Sequence, residues 1–115
     1  HVRNLSVLHD DGVRLAPMYD VVATAAWPEV STELGLRIGT QYDIGDVRVG
    51  DLVSEAAKWG LGERAARRAV EVVCEAITDN IETVRDEIVD GGFGSERLVS
   101  AVNAIIERTG RVLAN

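Results

Sequence analysis

The chain has 115 residues, 46% hydrophobic and 27% charged, the balance of a soluble domain with one core and not of a disordered segment. Its formal charge of −7 and pI near 4.7 argue against autonomous binding to nucleic acid or to an anionic membrane, since both need a concentrated positive field. No apolar run approaches the roughly 20 residues that span a bilayer, and no signal-peptide pattern is present, so a cytoplasmic location is expected.

In chain order, the first expected element is a β-hairpin: Leu5 to His9, a turn at Asp10-Asp11-Gly12, then Val13 to Ala16. Asp-Gly is expected to supply the positive-φ positions of a tight turn. Pro17 cannot donate to a ladder, so the second strand should end or lie at an edge there. Val21 to Ala26 reads as a short helical or irregular stretch broken by Trp27-Pro28. A second hairpin is expected from Leu34 to Ile38 and Tyr42 to Ile44, around Gly39-Thr40-Gln41.

From Val49 the period becomes helical. A first helix over Val49 to Trp59 places Leu52, Val53, Ala56 and Trp59 on one side and ends at Gly60, a left-handed cap. The longest helix runs from Glu63 to Val89, with Ala66, Ala69, Val70, Val73, Ile77, Ile81, Val84 and Ile88 as its apolar stripe. At ~1.5 Å per residue it is about 40 Å long. Gly91-Gly92 ends it. Ser95 is placed to cap a last helix whose inward stripe is Leu98, Val102, Ile105, Ile106, Thr109 and Leu113, packing antiparallel to the long one. The fold class is therefore α+β and mainly α-helical, with two small β-hairpins packed on a helical bundle. One domain is expected over 1–115, with the hairpins in 1–45 and the helices in 46–115.

Two polar residues flank the first hairpin. Asn4 lies in His1-Val2-Arg3-Asn4-Leu5-Ser6 and Asp20 in Leu15-Ala16-Pro17-Met18-Tyr19-Asp20. Paired positions in an antiparallel ladder have a constant sum, and a turn centred near position 12 sets Asn4 opposite Met18 or Tyr19, close to Asp20. An amide and a carboxylate at one end of a rigid element are hard oxygen ligands suited to a shared Mg²⁺. Singly, such residues at strand ends more often bond nearby backbone.

The joint frame resembles the HipA-like serine/threonine kinases of bacterial toxin–antitoxin systems. Their pattern is Asp-x-His-x-Lys-Asn-Phe-Ser, then Leu-x-Pro-x-Tyr-Asp, then a strand ending in Gly, for which Leu34 to Gly39 is a fair match. The resemblance implies part of a protein-kinase-like C-lobe that uses ATP and Mg²⁺. It implies that His1, Arg3, Asn4, Tyr19 and Asp20 lie around the nucleotide and that Asn4 and Asp20 hold the metal. It also implies a protein substrate with a Ser or Thr acceptor and a DNA-binding antitoxin as partner. Arg3 and Leu5 depart from the usual Lys and Phe, and Arg is a planar fork where Lys is a compact point charge.

In the family pattern the catalytic Asp falls two positions before His1. No glycine-rich strand-to-helix loop occurs in the chain to replace an upstream phosphate loop and Lys. The chain thus reads as the C-terminal portion of such a kinase, without a catalytic base of its own and inactive alone. The alternative is a non-enzymatic helical module that binds an antitoxin-like partner.

The remaining candidates have plainer readings. Cys74, inside the long helix, is a small buried hydrophobe and not a nucleophile. Arg64, Arg67 and Arg68 cluster at helical spacing and are chiefly a solvated face beside Glu63 and Glu71. As a minority reading they touch phosphate in a complex with DNA.

Overall fold

A computed structural model describes residues 6–24 and 27–114. Its elements are β1 (Val7–His9), β2 (Val13–Leu15), β3 (Glu33–Ile38), β4 (Gln41–Asp43), α1 (Val49–Lys58), α2 (Glu63–Ile88) and α3 (Glu96–Leu113), with a π-type turn over Val89–Phe93 between the last two. The strands form two separate antiparallel two-stranded sheets, β1–β2 and β3–β4. The mainly helical α+β architecture is therefore the one the residue periods predict.

Local chemistry explains where each helix starts and stops. Asp51 reaches back from the first turn of α1 to accept the Arg48 N–H at 2.9 Å, satisfying a donor that the helix itself cannot. At the other end Gly60 has φ +82°. The Leu61 N–H bonds to the Ala56 carbonyl at 3.2 Å and the Gly60 N–H to Ala57 at 3.0 Å, the paired bonds of a Schellman cap. Ser95 accepts the Leu98 N–H at 3.1 Å, as a serine N-cap should. Between α2 and α3 the chain reverses at Gly92, φ +86°, and α3 folds back along α2.

The second hairpin is built onto α1. Gly39 turns the strands at φ +61°, and a β-carbon there would lie 2.9 Å from the Asp51 side chain. Its N–H donates to Glu55 at 3.1 Å. Gln41 donates to Asp51 at 3.3 Å. A bulge between Glu33 and Ile38 shifts the register, from Glu33 opposite Asp43 to Ile38 opposite Gln41. Asp43 accepts the Gly45 N–H at 2.7 Å and the Thr32 hydroxyl. These bonds to the charged form hold its carboxyl below the ordinary value of 3.8, with Thr32 the larger cause.

Arg108 on α3 closes the structure. Its guanidinium donates to the carbonyls of Val47 at 3.0 Å and Gly45 at 3.4 Å. Arg48 donates to the same two carbonyls, at 3.1 and 2.8 Å. Two guanidinium groups thus grip one loop. Partial burial and the neighbouring Arg48 and Arg111 charges push the Arg108 pKa down, while Asp43 and Asp46 oppose the shift.

The packed centre is small: Val47, Val49, Ala66, Cys74, Val102 and Thr109 are buried. Cys74 is a free thiol inside the helix layer, its pKa raised by burial. Several residues of the expected inward stripes are instead open to solvent, namely Val73, Val84, Ile106 and Leu113. Ala69 is also exposed. Trp59, expected on the inner side of α1, is 75% exposed. These are corrections with one cause: each helix has a wider apolar arc than a single neighbour covers. The accessible surface is 8630 Å² for 12.4 kDa, whereas a compact monomer of that mass exposes about 6,100 Å².

Two outcomes are expected in denaturant titrations. Gly39→Ala, with both a left-handed backbone and a contact at Asp51, costs about 2 kcal/mol or more, whereas Gly60→Ala, left-handed but in open space, costs about 1 kcal/mol. Arg108→Lys, a point charge replacing a fork that serves two carbonyls, costs about 1 kcal/mol.

Candidate active site

The first hairpin carries the proposed ligands. Val7 pairs with Leu15, Leu8 with Arg14 and His9 with Val13, a constant sum of 22. The Ala16 N–H donates to the Ser6 carbonyl at 2.8 Å and extends the same register by one rung. His1, Arg3 and Asn4 themselves lie outside the described residues.

The turn differs from expectation. No residue of Asp10-Asp11-Gly12 has a positive φ. The loop is instead closed by an ion pair, Arg14 to Asp10 at 2.6 Å. That pairing is the main reason the Asp10 carboxyl lies below its ordinary value. All six strand residues of β1 and β2 are exposed.

β2 ends at Leu15, and after the Ala16 rung comes Pro17, which has no N–H to continue the ladder. Met18 is 85% exposed. The Tyr19 hydroxyl lies 2.8 Å from the Ser6 hydroxyl, joining the two motif segments by their side chains. Asp20 follows with φ 54°, the one positive φ among the described non-glycine residues. Aspartate tolerates that region better than most, yet a non-glycine residue held there commonly marks a site where geometry is worth strain.

After Asp20 the chain runs through 21–23 without regular structure and makes successive short turns. Trp27 N–H bonds to Thr24 at 3.0 Å and Val30 N–H to Trp27 at 3.0 Å. Arg97, in the first turn of α3, lies 5.5 Å from the centre of the Trp27 ring, an attraction of guanidinium to an aromatic face. The segment that follows the candidate metal ligand is thereby tied to the helical body. Neither this contact nor the Ser6–Tyr19 bond is signalled by local period or propensity. Only the motif around each residue hinted at Ser6 and Tyr19.

Among the described residues no group of three or more His, Cys, Asp or Glu side chains could hold a metal. Asp20 alone still suits Mg²⁺, which keeps several waters and is commonly bound by one or two carboxylates together with substrate phosphates. Elsewhere, Arg67 pairs with Glu63 and Arg68 with Glu71 and Glu75, so these two arginines of the basic cluster lie on a salt-bridged face of α2. An apolar groove of about 710 Å³ lies between β3, α1 and α2, floored by Leu36, Ile38, Leu52, Ala56 and Val70. No described helix is long and apolar enough to cross a membrane.

The family profile described as HipA-like C-terminal domain matches residues 1–81. The protein named "Putative kinase Y4mE" from Sinorhizobium fredii (strain NBRC 101917 / NGR234) is 26% identical over 109 residues, covering 94% of this chain. The chain spans about a quarter of that relative, 26% of its length. No solved structure matches it.

Replacements at Asp20 should separate backbone from side chain. Asp20→Val, β-branched in a left-handed position, is expected to cost about 1–2 kcal/mol in thermal or urea unfolding, and Asp20→Asn less than about 0.5 kcal/mol.

Proposed function

Because the chain belongs to the HipA-like C-terminal domain family, we propose that it supplies the metal-holding half of a protein-kinase active site. The reaction is transfer of the ATP γ-phosphoryl group to a Ser or Thr hydroxyl of a protein. The biological role is that of the toxin in a toxin–antitoxin pair, with a DNA-binding antitoxin as partner. The observation that carries this reading is Asp20: a carboxylate with a left-handed backbone, at the end of the hairpin that the Asn-Leu-Ser and Tyr-Asp motifs flank. The printed name of the Sinorhizobium relative supports a kinase.

Each residue has a separable task. Asp20 would hold the metal through a full negative charge, and Asn4 would add a neutral carbonyl oxygen. A bound Mg²⁺ would supply neutralisation of the charge on the phosphates. By the family resemblance, His1 and Arg3 would serve the nucleotide phosphates. The acceptor hydroxyl loses its proton to a carboxylate that the family pattern puts two positions before His1. Tyr19 holds the backbone ahead of Asp20.

The test is phosphorylation by the protein made from its complete reading frame. Asp20→Ala and Asn4→Ala should each abolish phosphate transfer to protein, with circular dichroism unchanged. Near-normal turnover in either variant would refute the assignment.

A further inference from the structure

Resting on that reading, we propose that Ser6 is a positioning residue, and that its hydroxyl bond to Tyr19 is the latch that sets the spacing of the two metal-ligand segments. Ser6 stands two residues after Asn4, and Tyr19 immediately before Asp20. Their hydroxyl oxygens are 2.8 Å apart. The last backbone rung described is the Ala16 N–H to the Ser6 carbonyl, at 2.8 Å. After it comes Pro17, whose ring removes a donor and fixes φ. The side-chain bond therefore continues the connection between the strands past the point where described backbone pairing stops. It does so on the ligand side of the proline.

The position of this bond matters more than its strength. Both residues are exposed, and a neutral hydroxyl pair in solvent adds little to the stability of the whole fold. Mg²⁺, by contrast, demands near-ideal octahedral distances and tolerates displaced ligands poorly. A change in the separation of the two segments is thus read by the metal before it is read by unfolding. Tyr19 keeps the bond rigid because a phenol has few rotatable bonds. Ser6 is the shorter, more adjustable partner.

The experiment uses the protein from its complete reading frame, with Ser6→Ala, Tyr19→Phe, the double variant and Ser6→Thr. Binding of Mn²⁺ as a Mg²⁺ substitute, in the presence of a non-hydrolysable ATP analogue, is followed by electron paramagnetic resonance. Activity is measured in parallel across Mg²⁺ concentrations. Ser6→Ala and Tyr19→Phe are each expected to weaken metal binding about 3- to 10-fold, the factor carried by one hydrogen bond. The double variant should be no weaker than the worse single one, and Ser6→Thr, which keeps the hydroxyl, should restore binding.

Unchanged metal affinity in the single variants, or effects that multiply in the double variant, would overturn the latch and leave the kinase reading standing. Wild-type protein that binds the metal and analogue but transfers no phosphate would overturn the transfer reading and leave the latch standing. Wild-type protein that binds no metal would remove both.

Discussion

The grip of two arginines on the loop before α1 is the interaction on which the rest of the structure depends. Arg48 is local to that loop, whereas Arg108 comes from near the end of the chain, yet both donate to the carbonyls of Gly45 and Val47. Carbonyls at the entrance to a helix have no ladder partner, and burial without one would be costly. Supplying a fork from α3 satisfies them and at the same time fixes where α3 lies. The second hairpin follows from the same loop, since Asp43 caps Gly45 while Asp51 and Glu55 receive Gln41 and Gly39. Hairpin, loop, α1 and α3 form one connected polar scaffold around a modest apolar centre.

That scaffold stands in contrast to the first hairpin, where the described contacts are the paired positions of β1 and β2, the Ala16–Ser6 backbone rung, a loop ion pair and a hydroxyl bond. Its strand residues face solvent. The apolar stripes left open on α2 and α3, and the groove beside α1, belong with this picture. The radius of gyration is 15.8 Å, larger than the roughly 13 Å of a compact domain of about this length. A helical body with unmet apolar surface carries an exposed ribbon.

Asp20 is the residue at which backbone strain is concentrated. A left-handed aspartate costs stability that a glycine would not, and the ladder, Pro17 and the Ser6–Tyr19 bond hold the chain in register up to the residue before it. The Trp27–Arg97 contact holds it again a few residues later. The strained residue thus sits between two anchored points of the chain.

Much of the fold was legible from the residues because its signals are local. The 3.6-residue period marks α1, α2 and α3. Gly60 and Ser95 mark ends that need a left-handed residue and a hydroxyl acceptor, and a motif at each flank of a turn marks the candidate ligands. Less legible was which apolar residues are covered, since period reports a face and not a neighbour: Val73, Val84, Ile106 and Leu113 share the arc of buried residues yet lie at its open edge. The Asp-Gly turn was misread because composition permits a positive φ without requiring it, and the Asp10–Arg14 pair closes the loop another way. By itself the sequence determined element types, helix ends and the register family of the first hairpin, all properties of short stretches of chain. Only the tertiary structure decided that Arg108 shares carbonyls with Arg48, that Arg97 reaches Trp27 and that Tyr19 meets Ser6, because those contacts join residues far apart in sequence and depend on the path between them.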